Sequence, residues 1–355
     1  MQPLYAIGTL AEKTKVAVGQ EVVLERTPQA ATSAVVQQTA QETAVTTHAL
    51  TRYNPVEQEI ISLTEGNFAQ APHAIVTLSS KNKVTVWKRA ENKNLEEILS
   101  YALPSNKKGI TLSAKDVKGT GEDQLFVTVY DQTRQNIFTF VLEVQEGGLV
   151  QTETLPYFVK ELGCGSQKTL WAQRPFVTDN RPGNAKEVVY KKNAYATGDR
   201  SFSTQHNWLT GLNLYPIQNE KYENLIYTAS NGKLRMVLEN GKRAESVSSF
   251  ASTPNRISYK QAIIRFYPSL QVFGTPGKAQ IAAVENTSKL GLLSDTFGQY
   301  QEGKMQWLSY QQGRLQIKET TELNGVLYDT ACTDEAILTA EVLTDETSTV
   351  VELLK

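Results

Sequence analysis

From about residue 58 onward, short segments alternate between apolar and polar residues with a period of two. "HAIVTLSS" is followed by "KNKVTVWKRA", and "QLFVTVYD" by "QNIFTFVLEV". The pairs "ENLIYTAS" with "NGKLRMVLEN" and "AQIAAVEN" with "KMQWLSYQQG" repeat the arrangement. A period of two places successive side chains on opposite faces of a strand. The pattern predicts antiparallel strands joined by short turns, and no segment shows a convincing helical period.

The predicted strands recur as a repeat. Asn-Gly at 231 and 240 and Gly-Gly at 147 are hairpin signals. The strand pairs return at intervals of roughly 45 to 60 residues, which indicates a repeat architecture. We divide the chain into repeats at 58–103, 109–157, 158–205, 207–251, 262–323 and 325–355.

About four strands per repeat in an all-β chain predict a β-propeller. Six blades fit the division above, with seven as the alternative, and the repeat length and number argue against a pair of β-sandwiches. The last repeat holds only three strands, "GVLYDTAC", "EAILTAEVL" and "STVVELL". We expect "HALTRYNP" (48–55) to supply the missing strand and close the ring.

The N-terminal region has a different texture. Residues 28–50 are rich in Ala, Thr, Gln and Val and have no Gly and no aromatic residue, which indicates a linker or exposed arm. An amphipathic helix is the alternative, weakened by the many β-branched residues. "VAVGQEVVLERT" (16–27) alternates well enough for a short β segment. The predicted domains are an arm at 1–50 and a propeller at 51–355.

Composition and charge limit the partners. The chain of 355 residues has 36 Lys and Arg against 37 Asp and Glu, a net charge of -1. This balance shows no electrostatic footprint for nucleic acid or acidic lipid. The sequence contains no run of ~18 apolar residues, so it predicts no membrane-spanning helix. The start "MQPLYAIGTLAEKTKV" has no signal-peptide pattern, so we expect either a cytoplasmic protein or a mature form with an added Met.

Cysteine and histidine content disfavours a metal site. Cys164 and Cys332 are far apart in sequence, no C-x-x-C occurs, and the histidines are only three. A zinc site is therefore not expected. The two cysteines could form one bridge, but two separate buried thiols are the preferred interpretation.

One stretch looks like a calcium loop. "DVKGTGEDQLFVTVYD" (116–131) places a polar turn before an apolar strand, and similar turns precede the second strand of other repeats. The pattern over about 58–355 resembles the FG-GAP or VCBS repeat of bacterial surface proteins and integrin α-chain propellers. That family's loop reads roughly D-x-N-x-D-G-x-x-D before an apolar strand, and the second repeat matches it most clearly.

The resemblance can be carried over position by position. Asp116 fits the first acidic ligand and Gly121 the turn glycine, but Lys118, Thr120 and Gln124 stand where ligands are needed. Ca²⁺ requires about six to eight oxygen ligands, several of them carboxylate. The loop is therefore expected to serve as a turn, with no bound metal and no cofactor.

The resemblance also implies a location and a role. The segment 303–329, "GKMQWLSYQQGRLQIKETTELNGVLYD", is similar to one common in secreted bacterial propellers. Such proteins are commonly periplasmic, outer-membrane-associated or extracellular and act in adhesion or assembly. The resemblance implies an exported protein that binds another protein or a surface polymer.

Catalytic motifs are not found. His206 stands in "STQHNWLTG" as a surface or packing residue, and "GCGSQK" (163–168) lacks the spacing of a phosphate loop. The four tryptophans fall in or beside strands and are expected to pack within blades. We therefore expect no enzymatic activity. The alternatives are a lectin, which would expose aromatic residues on loops, and a lyase or glycosidase acting in the channel.

A binding face is predicted from loop length. "RPFVTDNRPGNAKE" (174–187) and "NTSKLGLLSDTFGQYQEG" (286–303) both join a second strand to a third, so both should leave the ring on one face. Long loops on a rigid scaffold commonly carry function. The apolar residues of the second loop have an alternative role as a cap on the core of the ring. The candidate residues are Arg174, Phe176, Asn180, Arg181, Leu292, Leu293, Phe297 and Tyr300.

Overall fold

The described part of the chain is built from β-strands. The computed structural model describes residues 48–216, 224–238, 241–250, 253–287 and 300–355. The described residues all belong to one compact unit, Thr43–Lys355. Its helical content, within the described residues, is two single 3-10 turns at Glu91–Lys93 and Gly165–Gln167.

The strands form six four-stranded antiparallel sheets arranged as the blades of a β-propeller. Blade 1 contains β2 (Ile60–Phe68), β3 (Ala71–Ser79), β4 (Lys83–Arg89) and β5 (Leu95–Ala102). Blade 2 contains β6 (Lys107–Lys115), β7 (Gln124–Asp131), β8 (Asn136–Gln145) and β9 (Gly148–Leu155). Blade 3 contains β10 (Phe158–Leu162), β11 (Thr169–Gln173), β12 (Ala185–Lys191) and β13 (Ala194–Phe202).

The second half of the ring follows the same meander. Blade 4 contains β14 (Leu212–Tyr215), β15 (Asn224–Thr228), β16 (Lys233–Val237) and β17 (Arg243–Ser249). Blade 5 contains β20 (Gln271–Phe273), β21 (Gln280–Thr287), β22 (Glu302–Gln311) and β23 (Arg314–Leu323). Blade 6 contains β24 (Val326–Cys332), β25 (Ala336–Val342), β26 (Ser348–Leu354) and β1 (Leu50–Arg52). The prediction of a six-bladed propeller is confirmed.

Blade 6 takes its outermost strand from the other end of the sequence. β1 pairs antiparallel with β26, and Leu50 lies opposite Leu353. The ring of His48 stacks on Trp307 of blade 5 with centroids 3.8 Å apart, and the Arg52 guanidinium lies 2.8 Å from the Glu341 carboxylate. These contacts cover the edge that β26 would otherwise expose. The predicted boundary at residue 50 stays a prediction, because residues 1–47 are outside the described part.

One pair of strands belongs to no blade. β18 (Arg256–Tyr259) and β19 (Ala262–Arg265) form a separate two-stranded hairpin between blades 4 and 5. The predicted fifth repeat began at 262, which is wrong, because the first strand of blade 5 starts at Gln271. Alternating apolar and polar residues indicate that a strand has one buried face, but they do not indicate which sheet the strand joins.

The hairpin covers one end of the ring. We call the end where the inner strands of the blades begin the lower face and the opposite end the upper face. Asn255 Nδ2 donates to the Ile110 carbonyl near the start of β6 at 2.8 Å, and Tyr130 Oη donates to the Ser258 carbonyl at 2.8 Å. Blade 2 therefore holds a segment that leaves the ring between blades 4 and 5, so the hairpin lies across the lower face.

A disulfide crosses the opposite end. Cys164, in the turn after β10, is bonded to Cys332 at the end of β24, with Cα atoms 4.9 Å apart. The prediction of two separate thiols is therefore wrong. Blades 3 and 6 face each other in a six-bladed ring, so the bond crosses the upper mouth of the channel. A separation of 168 residues concealed the pairing, because only closure of the ring brings the two cysteines together.

The apolar core lies between neighbouring blades. Buried aliphatic and aromatic side chains from facing sheets pack together around the whole ring. Each of the four tryptophans is less than a tenth exposed, in agreement with the predicted packing role: Trp87, Trp171, Trp208 and Trp307.

Candidate functional site

The channel is filled with polar side chains. The Lys160 ammonium of blade 3 lies 3.3 Å from the Asp329 carboxylate of blade 6, and both side chains are 5% exposed or less. Beside this pair, Lys168 lies 3.2 Å from Glu161, whose carboxylate also accepts a hydrogen bond from Thr64 at 2.6 Å. Each of these buried carboxylates has a lysine partner, as a buried charge requires. The axis of the ring is therefore a packed ionic network.

The upper mouth holds a cavity of about 570 Å³ beside the disulfide. Its apolar wall includes Phe273, and charged groups lie at its rim. Asp334 accepts hydrogen bonds from the backbone N–H and the hydroxyl of Ser166, and the backbone bond is the main cause of its lowered pKa. The Lys355 ammonium lies 3.0 Å from Cys164 Sγ. Both charged groups are occupied by contacts within the protein.

The loop that resembles a calcium site uses its aspartate differently. Asp116 accepts backbone hydrogen bonds from Gly119 at 2.8 Å, Thr120 at 3.0 Å and Gly121 at 2.7 Å. Partial burial would by itself raise the pKa of Asp116, but these donors outweigh it and lower the pKa. Gly119 and Gly121 have φ of +72° and +88°, which lets the chain turn tightly around the carboxylate.

Two other residues at the ligand positions of this loop also make contacts within the protein. The Lys118 ammonium lies 2.7 Å from the Glu143 carboxylate of the neighbouring strand β8. Gln124 Oε1 accepts from the backbone N–H of Val117 at 3.0 Å. Within the described ranges, no group of three or more His, Cys, Asp or Glu side chains is placed to share a metal ion.

Calcium is expected to leave the stability of the protein unchanged. The one carboxylate that matches a ligand position, Asp116, already accepts three backbone N–H groups, and Lys118 brings a positive charge to the loop. The melting temperature should be equal, within error, in about 5 mM CaCl₂ and in EDTA, a concentration above the ~1 mM constants of weak extracellular sites. A rise of several degrees with calcium alone would show that the loop binds the ion.

The lower face carries a long ordered loop. Residues 174–184 join β11 to β12, and the Gly183 N–H donates to the Arg174 carbonyl at 2.9 Å, which closes the base of the loop. The ring of Phe176 stacks on Tyr259 of the hairpin, with centroids 3.8 Å apart and planes within 4° of parallel. Phe176 also meets Trp208 edge-on. Aromatic packing therefore ties the loop to the hairpin.

Two aliphatic side chains project from this combined surface. Val177 in the loop is 57% exposed and Ile263 on the hairpin is 53% exposed. The adjoining segments contain Phe176, Gln205 and His206 with positive φ, a conformation that non-glycine residues adopt infrequently. Such backbone is retained where the surrounding structure holds it, and it is frequent at binding sites.

Three cavities open on or beside this surface, and the charged residues that line them within the described ranges are basic. The first, of about 280 Å³, is lined by Arg181, Arg265 and the imidazole of His206. The second, of about 550 Å³, is lined by Lys108 and Arg256. The third, of about 420 Å³, is lined by Arg174 and Lys186. The described residues lining these cavities include no carboxylate, although the whole chain has about as many acidic as basic residues.

The predicted site residues differ in how exposed they are and in whether the structure describes them. Arg174, Asn180 and Arg181 are exposed on the lower face, while Phe176 is half-buried in the aromatic stack. Tyr300 is only 9% exposed. The remaining three predicted residues lie outside the described part of the chain: Leu292, Leu293 and Phe297. As a binding site, this set stays a prediction.

Sequence reasoning missed the residues of the hairpin and its surroundings. Arg256 precedes the segment that we assigned to the fifth repeat, and Ile263 and Arg265 lie just inside it. Lys108 is the second residue of an inner strand. The available signal was the short strand "RISY" followed two residues later by "AIIR", which is a compact hairpin pattern distinct from the blades.

Nothing in the described residues forms a helix long and apolar enough to cross a membrane. No family model matches the chain, and no curated protein matches it. Among solved structures, the chain is similar to a putative oxidoreductase (glucose dehydrogenase) from the bacterium Thermus thermophilus. Their identity is 10% and the TM-score 0.48, over 86% of this chain and 100% of that chain.

A second similar structure is the WD40 β-propeller domain of Doa1, with 10% identity and a TM-score of 0.40, over 86% of this chain and 97% of that chain. Identities and TM-scores at this level do not bear on activity or partners. The sheet order of the chain itself therefore carries the conclusion that it is a six-bladed β-propeller.

Proposed function

We propose that this propeller is a non-enzymatic binding protein that recruits a protein partner through its lower face. The observation that carries the proposal is the combined surface of loop 174–184 and the β18–β19 hairpin. It presents Val177 and Ile263 to solvent while its aromatic residues hold it in place. A rigid loop loses little conformational entropy on binding, which favours affinity.

The described surface favours a protein over a glycan. Sugar-binding sites commonly present an exposed aromatic ring, and every exposed large hydrophobic residue in the described ranges is aliphatic. The channel is also a poor match to the alternative of a lyase or glycosidase. Its carboxylates Glu161 and Asp329 are buried against Lys168 and Lys160, whereas catalysis requires groups that a substrate can reach.

Two observations support a role outside the cytoplasm. The disulfide between Cys164 and Cys332 is of a kind that persists in oxidising compartments. The repeat pattern resembles that of exported bacterial propellers. We propose that the protein acts in the periplasm, at the outer membrane or outside the cell, in adhesion or assembly.

The proposal is tested by placing charge on the exposed aliphatic residues. We expect Val177→Asp combined with Ile263→Asp to reduce partner capture from extracts of the native organism about tenfold or more, since a central apolar contact contributes ~1.4 kcal/mol or more. Both side chains are mainly exposed, so folding should be unchanged by circular dichroism. Quantitative mass spectrometry would identify the proteins that are lost.

Val247→Asp combined with Val150→Asp provides the matched control. Val247 and Val150 are 91% and 42% exposed and lie on the outer strands β17 and β9 rather than in loop 174–184 or the β18–β19 hairpin. This variant should capture the same partners as the wild-type protein. If the lower-face variant folds and still captures those partners at wild-type levels, the lower face is not the binding surface.

A further inference from the structure

The disulfide borders the upper cavity with one of its two sulfurs. Cys164 is partly exposed and lines the cavity of about 570 Å³. Cys332 is 1% exposed, lies in the apolar core between blades 5 and 6, and is not among the described residues that line the cavity. A thiolate displaces one sulfur of a disulfide by attacking the other. A thiol that enters the cavity therefore reaches Cys164, and Cys332 is the sulfur that leaves.

A cation lies beside the accessible sulfur. Lys355 Nζ is 3.0 Å from Cys164 Sγ, and it donates to the carbonyls of Thr333 at 2.5 Å and Asp334 at 3.1 Å, which hold it in place. A neighbouring ammonium favours the thiolate form of a cysteine. Burial lowers the pKa of Lys355 itself, and a thiolate at this distance would favour the charged lysine. The contact therefore favours the release of Cys164 as a thiolate when the bond is reduced.

Three further charged side chains line the cavity or act on Lys355. Each is held by a partner within the protein: Asp334 by Ser166, Lys168 by Glu161 and Arg200 by Glu187. Asp334 raises the pKa of Lys355 and Lys168 lowers it, so these two charges oppose each other. Lys355, which is in direct contact with the sulfur, is therefore the charge that we expect to control Cys164.

The turns that carry the two cysteines are also joined by hydrogen bonds. Ser166, in the turn after β10, donates to the Asp334 carboxylate, in the turn after β24, from its backbone N–H at 2.9 Å and its hydroxyl at 3.2 Å. The ion pair between Lys160 and Asp329 joins the same two blades inside the channel at 3.3 Å. We therefore expect the protein with a reduced disulfide to remain folded, although it is less stable.

We propose that Cys164 is a site of thiol–disulfide exchange, at which a thiol entering the upper cavity opens the link between blades 3 and 6 and Lys355 stabilises the released thiolate. In the first step the incoming thiolate bonds to Cys164 Sγ, the bond to Cys332 breaks, and the Cys332 sulfur leaves with the electron pair and takes up a proton. In the second step another thiol attacks the sulfur that was added, and Cys164 leaves as a thiolate.

The reaction balances as the oxidation of two thiols to one disulfide and the reduction of the protein disulfide to two thiols. A cavity of about 570 Å³ can admit a small thiol or the end of a protein segment. The inference concerns the upper face and is independent of binding at the lower face.

The first test reduces the wild-type protein in its folded state, with glutathione as a small thiol and with reduced thioredoxin as a protein dithiol. The rate of reduction should rise in proportion to the reductant concentration. It should change less than about twofold in about 1 M urea, whereas a bond reached only by global unfolding would open at least about tenfold faster there. The reductant that acts shows which kind of thiol uses the site. If neither reduces the folded protein, or if reduction follows unfolding, the proposal is wrong.

Two single variants identify the reacting sulfur, and they are matched because each removes the same bond. The free Cys164 of Cys332→Ala should form a mixed disulfide with oxidised glutathione at least about a hundredfold faster than the free Cys332 of Cys164→Ala, since only the first thiol is accessible and beside a cation. Peptide mapping by mass spectrometry locates the adduct, and circular dichroism establishes that both variants are folded. Equal rates, or a faster reaction at Cys332, would overturn the proposal.

The role of Lys355 is tested in the Cys332→Ala background by measuring the same rate against pH. Without the ammonium, Cys164 should be less ionised at neutral pH but a stronger nucleophile once it is ionised. We therefore expect Lys355→Met to react about threefold more slowly at neutral pH and about threefold faster at high pH, so that the two profiles cross. Lys355→Arg keeps the charge and should retain the profile of Cys332→Ala. Identical profiles with and without the charge would overturn the assignment of Lys355.

Discussion

Removing the disulfide is expected to lower the free energy of unfolding by about 2–5 kcal/mol. Cys164 and Cys332 are 168 residues apart, so the bond closes about half of the propeller into one loop and greatly restricts the unfolded chain. In the folded protein it joins blades that face each other across the channel. We expect Cys164→Ala with Cys332→Ala to show a corresponding drop in urea denaturation.

Reductant separates this effect from a packing effect of the substitutions. Dithiothreitol should lower the stability of the wild-type protein toward that of the double variant and leave the double variant unchanged. Thiol titration of the denatured wild-type protein should find no free thiol before reduction and two after it. Two free thiols before reduction would contradict the bond.

Removing the buried carboxylate of Asp329 is expected to lower the free energy of unfolding by about 3–5 kcal/mol, because the Lys160 ammonium then stays buried in the channel without its counter-ion. Asp329 also accepts hydrogen bonds from Ser62 at 2.6 Å and from the backbone N–H of Ser269 at 3.1 Å. Ser269 follows the hairpin, so this one carboxylate connects blades 1, 3 and 6 to the segment across the lower face. Asp329→Ala should therefore reduce stability and loosen the hairpin, measured by urea denaturation and by hydrogen exchange.

A compensating substitution provides the control. Lys160→Met removes the stranded charge, and replacing both members of a buried ion pair by apolar groups is often close to neutral. Asp329→Ala combined with Lys160→Met should therefore recover much of the stability lost in Asp329→Ala alone. If Asp329→Ala is as stable as wild type, or if the second substitution adds to the damage, the ion pair does not have this role.

The blades could be predicted from sequence because their determinants are local. Alternation in β7, "QLFVTVYD", and in β8, "NIFTFVLEVQ", follows directly from one strand packing against the next. The three-stranded last repeat was also visible, because counting strands needs no knowledge of contacts. The turn after Asp116 was recognisable for the same reason, since its hydrogen bonds lie within five residues.

The features missed by sequence depend on how distant segments meet. Cys164 reaches Cys332 only when blade 6 has taken its place opposite blade 3. The cavities of the lower face bring together Lys108, Arg181 and Arg265 from three separate parts of the chain, and a balanced net charge conceals such a grouping. A mean over the whole sequence cannot show the sign of the charge on one surface.

Because β1 pairs with β26, the ring can close only after the last strand has been synthesised. The two strands are separated by about 300 residues, so at roughly 5–20 residues per second the ribosome needs on the order of 15–60 s to make the second after the first. Throughout that time β1 has no partner, although blades 1 to 5 contain all their own strands. Two chains that finish side by side can therefore exchange their first strands. This makes the growing chain most open to domain swapping in the interval just before the ring is sealed.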